Sequence, residues 1–392
     1  MKTFLKIVIS VTLIYFFSWF AAYKIGVNDL AIQSEDTLPA MFIPVAIIKE
    51  GTIYLDSYYD MLLEKYPHPD DKDYQKGLVP FYLREIPLVK FTSDTCNDNS
   101  KGAPFGLAHY VSAFPIITPL LAVPVYFFPV ILGVPITWAS VTILAHLSAS
   151  LIVALSGGFL YLLLKKYFFA DDCQKPLIKQ KSLLLTAIYL FATINYAHIS
   201  QALWQHGTVQ LFTILALWAI YEKRHVLTGL FFGLMLLSRP TSAIPVGLLG
   251  LLSFANFTNC WDLFLGKFFD TENTSFKGIS EATKQQGKNL KKCVFRVGLI
   301  ILGLIPAILF FLWYNKTYYF DISNQGYSNQ IFSEWKGRFP EGFLGLWISP
   351  SKGILIYSPI FLFSLIGVYK AVKKWKQNLP YVTFGLIILI HT

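Results

Sequence analysis

Two adjacent acids, Glu35 and Asp36, are the residues whose type and position most directly suggest chemistry. They follow closely on an apolar segment, residues 4–23, that is long enough to cross a ~30 Å hydrocarbon core as a helix. A carboxylate at such an exit faces water and lipid headgroups together. It can take a proton from an incoming hydroxyl, or hold a divalent cation. The alternative is structural: Asp36 is the N-cap of a helix with Pro39 in its first turn.

Three cationic residues are candidates for binding an anionic substrate group. Arg239 precedes Pro240 at the end of an apolar segment, where a planar guanidinium can hold a phosphate. The alternative for Arg239 is a side chain that only extends to the lipid headgroups. Lys101 and Lys352 lie in the two long polar segments. For Lys101 the alternative is a solvated loop lysine.

A short polar turn contributes two more candidates, Gln205 and His206. The alternative for His206 is an interfacial ring beside Trp204. The sequence predicts no metal centre, because its cysteines show no CxxC spacing and have no histidine at ligand distance. The cysteines are Cys96, Cys173, Cys260 and Cys293.

The composition places these residues in a membrane protein. The chain is 54% hydrophobic and only 14% charged, which excludes an ordinary soluble domain and indicates a polytopic membrane protein. The net charge of +10 comes from basic residues in short loops between apolar segments. Such residues are topology signals, so we predict no nucleic-acid partner.

The basic residues predict which loops face the cytoplasm. Lys2 and Lys6 place the amino terminus inside, with residues 4–23 as a retained signal anchor. This leaves two large external loops, residues 26–110 and 316–352. The basic loops predicted to be cytoplasmic are residues 165–181, 222–225, 267–296 and 370–376.

Residues 111–135 form a proline-rich apolar segment between the first external loop and the next basic loop. Interior prolines remove helix hydrogen bonds, and in lipid the freed carbonyls need partners. We therefore predict a broken, re-entrant or interfacial segment here, with residues 136–164 as the true crossing. The alternative is two full spans, with the loop at 165–181 outside. The prolines are Pro115, Pro119, Pro124, Pro129 and Pro135.

The predicted fold is all-α, a polytopic helix bundle forming a single transmembrane domain over residues 1–392. Residues 136–392 make up the main bundle. The chain stops inside an apolar run, so we expect an incomplete carboxyl terminus. The further spans are predicted at residues 182–199, 207–221, 226–237, 242–254, 294–314, 353–369 and 380–390.

An ordered set of short stretches resembles one family over nearly the whole chain. This set is similar to the GT-C superfamily of membrane glycosyltransferases, which includes the protein O-mannosyltransferases and the bacterial aminoarabinose transferases of lipid A. It is most similar to bacterial glycosyltransferase-like membrane proteins. The stretches are SEDTLPA (34–40), IKEGTIYLD (48–56), QALWQHG (201–207), SRPT (238–241), GLWISP (345–350) and YSP (357–359).

The resemblance implies a transferase of the bacterial cell envelope, in the inner or plasma membrane. The donor would be a sugar on a polyprenyl phosphate, the acceptor an extracytoplasmic lipid, glycan or protein, and the mechanism inverting. Asp36, with Glu35 beside it, would activate the acceptor or lie next to it. Lys101 would contact the lipid phosphate; this chain has Lys-Gly-Ala-Pro there, where the aminoarabinose transferases have Lys-Pro-Pro. No cofactor is implied, and a divalent cation near Asp36 stays an open alternative.

Two other functions stay open at this point. One is a flippase or transporter of lipid-linked glycans, for which His146 and His198 are the candidate polar residues within spans. The other is a catalytically silent protein with the GT-C architecture. An absence of evident internal repeats weighs against a transporter.

Overall fold

The computed structural model describes residues 2–27, 34–73, 76–87, 108–169, 175–258, 276–319, 339–350, 353–375 and 378–391. Over these residues the chain is mostly helical, in agreement with the predicted all-α class. The helices are α1 (Lys2–Lys24), α2 (Leu38–Glu50), α3 (Tyr59–Lys65), α4 (Ile117–Ile131), α5 (Trp138–Leu163), α6 (Lys175–Phe191), α7 (Ile194–Ala197), α8 (Gln205–Tyr221), α9 (His225–Ser238), α10 (Ala243–Thr258), α11 (Phe276–Tyr318), α12 (Phe339–Ile348), α13 (Ile354–Tyr357), α14 (Phe361–Lys373) and α15 (Leu379–His391).

Among the described residues, three helical stretches are long and apolar enough to cross a membrane, which indicates a membrane protein. They are Lys2–Lys24, Trp138–Phe168 and Val294–Tyr318. The second stretch is the most enclosed: 61% of an 18-residue apolar portion of it is buried inside the protein, against 11% for the third stretch. The third therefore presents most of its apolar surface outward, as a helix surrounded by lipid would.

The first two of these stretches, helix α1 and the stretch that contains α5, pack antiparallel to each other. A Cβ placed on Gly158, late in α5, would lie 2.8 Å from side-chain atoms of Phe4 and Val8. Near the other end of the pair, Trp19 stacks on His146 with ring centroids 3.7 Å apart. The amino end of α1 therefore lies beside the carboxyl end of α5. The basic residues at these two ends share one side, as the positive-inside rule requires if both helices cross.

Cysteine labelling tests this topology. In a chain that keeps only Cys173, within the basic loop 165–181, we expect no reaction with a membrane-impermeant maleimide in intact cells. After permeabilisation the same residue should react, because the loop is predicted to face the cytoplasm. A chain that keeps only Cys96, in the predicted first external loop, is the matched control and should react in intact cells. Labelling of Cys173 in intact cells would overturn the interfacial prediction for residues 111–135.

The first predicted external loop contains ordered structure. The sequence predicts a helical stretch from Leu38 to Lys49, with Gly51 as its C-terminal stop. This prediction is confirmed, since α2 ends at Gly51 in the left-handed conformation with φ +67°. Pro44 lies inside α2 without breaking it. Nearly all of α2 up to Ala46 is buried, so the core of the protein holds this helix in place.

A two-stranded antiparallel sheet is an element that the all-α prediction did not include. Strand β1 (Leu83–Pro87) pairs with β2 (Ala108–Ser112). The Leu55 N–H donates to the Tyr110 carbonyl at 2.8 Å. This bond attaches the chain after α2 to strand β2, so Leu55 and Tyr110, which are distant in sequence, lie next to each other.

Within the proline-rich segment 111–135, residues Ile117–Ile131 form one continuous helix, α4, with Pro124 and Pro129 inside it. The first two residues of the segment belong to strand β2. The length of α4 is about 22 Å at 1.5 Å per residue, which is short for a hydrocarbon core. Helix α4 packs on α2 and α5. The expectation of a break at these prolines is therefore not met, while an interfacial position for the segment stays a prediction.

Several other segments differ from the predicted elements. The span predicted at residues 182–199 is a bent pair, with a 44° change of direction between α6 and α7. Thr193 begins α7 as its N-cap. The span predicted at 353–369 is interrupted before α14, where Pro359 cannot continue a helix. Part of the predicted basic loop 267–296 is helical, since α11 already begins at Phe276.

The chain divides into two compact units, Met1–Leu211 with Phe310–Arg338, and Phe212–Leu309 with Phe339–Thr392. In the second unit, α9 and α11 approach so closely that neither helix could carry a side chain at the crossing. A Cβ on Gly229 would lie 1.9 Å from the Ile300 carbonyl oxygen, and one on Gly303 would lie 2.0 Å from the Val226 carbonyl oxygen. Glycines at such crossings are typical of membrane helices.

Candidate functional site

The acid pair lies in a tight 3₁₀ turn, Glu35–Thr37, that leads directly into α2. Ser34 caps this turn: its Oγ accepts a long hydrogen bond from the Asp36 N–H at 3.4 Å. The Ser34 carbonyl accepts from the Thr37 hydroxyl at 2.8 Å. The N-cap position of α2 belongs to Thr37. The alternative that Asp36 is the N-cap is therefore wrong.

The elements around the turn restrict its movement. Phe42, in the middle of α2, is fully buried. Its ring lies 5.5 Å from that of Tyr58 and 6.0 Å from that of Trp138, the first residue of α5. A buried helix held at several points gives the acids before it a defined position, which a catalytic carboxylate needs.

Burial and charge both act on Glu35. Burial raises the pKa of the Glu35 carboxyl above its ordinary value, and the neighbouring Asp36 charge adds to the increase. Glu35 therefore keeps its proton to a higher pH than a free carboxyl. An adjacent pair in which one carboxyl holds its proton more strongly is suited to acid–base work.

Gln205 and His206 begin α8. Gln205 is buried and His206 is exposed. The His206 ring centroid lies 6.0 Å from that of Trp204, the proximity that the interfacial alternative requires. The Thr118 and Thr208 hydroxyls, 2.9 Å apart, connect α8 to the proline-rich helix α4.

Arg239 lies in the second unit, between α9 and a 3₁₀ turn at Pro240–Ser242. Its backbone N–H donates to the Met235 carbonyl at 3.0 Å, which closes the end of α9. Arg239 thus occupies the helix end that the sequence predicts for it. Lys101 and Lys352 lie outside the residues that the structure describes.

Asp56 and His109 form a second group of chemically competent residues. The sequence places both among the polar residues of the predicted outer face, with Asp56 predicted to be a turn residue and no role predicted for His109, so their pairing was missed. The Asp56 Oδ2 lies 2.5 Å from the His109 Nδ1. The other carboxylate oxygen accepts the Tyr110 N–H at 2.7 Å. The Tyr54 ring stacks on His109 with centroids 4.0 Å apart and planes 10° from parallel.

Neither a metal-ligand group nor a similarity to a known protein assigns a function to these residues. Within the described part of the chain, no three or more His, Cys, Asp or Glu side chains are grouped to hold a metal ion. The four cysteine side chains lie outside that part. No protein-family model, curated protein or solved structure matches this chain. Fold and site define a mostly helical protein with helices able to span a membrane, and with an acid pair that follows the first of these helices in sequence.

Proposed function

We propose that this chain is a multi-pass membrane glycosyltransferase that moves a sugar from a polyprenyl-phosphate donor to an extracytoplasmic lipid, glycan or protein. The observation that carries the proposal is the position of Glu35 and Asp36. They lie on a defined turn between the first candidate span and the buried helix α2. The ordered resemblance to GT-C transferases supports the same class and favours a bacterial inner membrane as the location.

In the proposed reaction, Asp36 takes the proton of the acceptor hydroxyl. The hydroxyl oxygen then attacks the anomeric carbon, and the bond from that carbon to the lipid phosphate breaks. The electron pair leaves with the phosphate. Because the oxygen attacks from the face opposite the phosphate, the configuration at the reacting carbon inverts. A base correctly placed contributes about 10²- to 10⁴-fold to such a rate.

The departing phosphate needs a cationic partner, and the proposal assigns Arg239 to bind it. Lys101 and Lys352 are further candidates for the same role by their residue type. Arg239 is preferred because a guanidinium can hold two phosphate oxygens at once, and Pro240 restricts the backbone directly after it.

Binding of a polyprenyl-phosphate sugar to the full chain in nanodiscs tests this assignment. Arg239→Lys keeps the charge but loses the two-pronged contact, so we expect about tenfold weaker binding. Arg239→Ala should weaken binding by roughly 100-fold, since a charged hydrogen bond contributes about 1.5–3 kcal/mol. Arg224, before the other end of α9, is the matched control, and Arg224→Ala should bind as the wild type does.

The result also separates binding from simple headgroup contact. Lysine extends to lipid headgroups as well as arginine does. Equal donor affinities for the wild type and both Arg239 variants would remove this residue from the phosphate site. If wild type itself fails to bind any polyprenyl-phosphate sugar, the proposed donor class is wrong.

A further inference from the structure

Asp56 and His109 form an oriented dyad. Asp56 begins the 3₁₀ turn Asp56–Tyr58, and His109 lies on β2. An ionised carboxylate can only accept hydrogen bonds, so the His109 nitrogen 2.5 Å from it, Nδ1, carries the proton. In the neutral imidazole the other nitrogen, Nε2, is then an unprotonated acceptor.

The dyad is held from several directions. The remaining Asp56 oxygen accepts the Tyr110 N–H, so the carboxylate cannot turn away from the ring without losing a backbone hydrogen bond. Leu55 is bonded to the same Tyr110 through its own N–H. The Tyr54 ring covers one face of the imidazole. These contacts fix the plane and the tautomer of His109 before any substrate arrives.

The dyad is also accessible. The side chains of His109 and Asp56 are 31% and 38% exposed. A purely structural role would be to attach the chain after α2 to β2. The bonds from Leu55 to Tyr110 and from Tyr110 to Asp56 already make that attachment. The contact between Asp56 and the His109 imidazole is not needed for this attachment. Its effect is to orient a base at the protein surface.

We propose that Asp56 and His109 form a second proton-transfer site, at which Nε2 of His109 accepts the proton of a bound hydroxyl compound. The hydroxyl electron pair stays on oxygen, Nε2 supplies the pair that binds the proton, and the Asp56 charge offsets the resulting imidazolium. Asp56 is the positioning residue. The site is separate from the acid pair, which precedes the amino end of α2, whereas Asp56 follows the carboxyl end. It does not depend on the proposed transferase activity.

Modification of the purified full chain in detergent by diethyl pyrocarbonate, mapped by mass spectrometry, tests the orientation. His68 is an internal reference with the opposite arrangement, because its Nδ1 accepts the Asp70 N–H at 3.1 Å and its only unprotonated nitrogen is engaged. We expect His109 to react about tenfold faster than His68, since its Nε2 is unprotonated and its side chain is 31% exposed.

Asp56→Asn provides the matched variant. The asparagine oxygen can still accept the Tyr110 N–H, so the attachment to β2 is retained. Its amide N–H, however, would donate to Nδ1 and move the imidazole proton to Nε2. We expect the His109 reaction to fall about tenfold, by analogy with the loss of the correct tautomer in catalytic triads. Equal reactivity of His109 and His68, or no change in Asp56→Asn, would overturn the orientation.

A second measurement tests proton transfer itself, with water as the hydroxyl compound and 4-nitrophenyl acetate as the electrophile. Water loses a proton to Nε2, its oxygen bonds to the acetyl carbon, and 4-nitrophenolate leaves with the electron pair. We expect faster cleavage by the wild type than by His109→Gln. We also expect a slower reaction in D₂O, because the proton is transferred in the transition state. No difference from His109→Gln, or no slowing in D₂O, would reject the base.

Discussion

Replacing Asp36 with asparagine is expected to lower the rate of sugar transfer by about 10²- to 10⁴-fold. The change keeps the size of the side chain and removes the group that accepts the proton of the acceptor hydroxyl. The 3₁₀ turn should survive, because its cap uses the Ser34 side chain, the Asp36 backbone N–H and the Thr37 hydroxyl. The measurement is transfer from a polyprenyl-phosphate sugar by the purified full chain in nanodiscs.

One control variant and one variant of the neighbouring acid make this test specific. Asp70→Asn removes a carboxylate from an exposed position of the predicted first external loop and should leave transfer unchanged. Glu35→Gln removes the neighbouring carboxyl, whose raised pKa suits it to hold a proton, and should lower the rate less than Asp36→Asn. Transfer at the wild-type rate by Asp36→Asn would show that Asp36 is not the base. Equal losses in Asp36→Asn and Asp70→Asn would point to a general structural effect.

Local signals in the sequence were sufficient for helices α1 and α2. The apolar length of residues 4–23 predicted α1, and Gly51 predicted the end of α2, because both depend on neighbouring residues alone. The proline rule was less informative. Pro124 and Pro129 lie inside α4, where packing on α2 and α5 compensates for the hydrogen bonds that the prolines remove.

The candidate site was only partly predictable for the same physical reason. Glu35 and Asp36 are neighbours, so the sequence alone places them together. Asp56 and His109 are 53 residues apart, and they meet only because β2 brings Tyr110 next to Leu55. No periodicity in either segment indicates this pairing. Contacts that depend on long-range strand pairing lie beyond what local patterns can predict.

The close crossing of α9 and α11 in the second unit leads to the largest expected effect on stability. Gly303→Ala would place a Cβ 2.0 Å from the Val226 carbonyl oxygen. The obstructing atom belongs to the backbone of α9, so no side-chain rotation can relieve the clash, and the two helices must separate. Gly229→Ala meets the Ile300 carbonyl oxygen in the same way. Overpacking of this kind costs about 1–3 kcal/mol, and a backbone clash belongs at the upper end.

Gly298→Ala is the matched control because it lies on the same helix, α11, with no atom within 4 Å of the added Cβ. Alanine is favoured over glycine inside a helix by roughly 0.8–1.0 kcal/mol, so this variant should be as stable as the wild type or more so. Thermal unfolding of the purified chain in detergent measures the difference. We expect a lower Tm for Gly303→Ala and an unchanged or higher one for Gly298→Ala. Equal Tm values for the two variants would mean that α9 and α11 do not cross at Gly303.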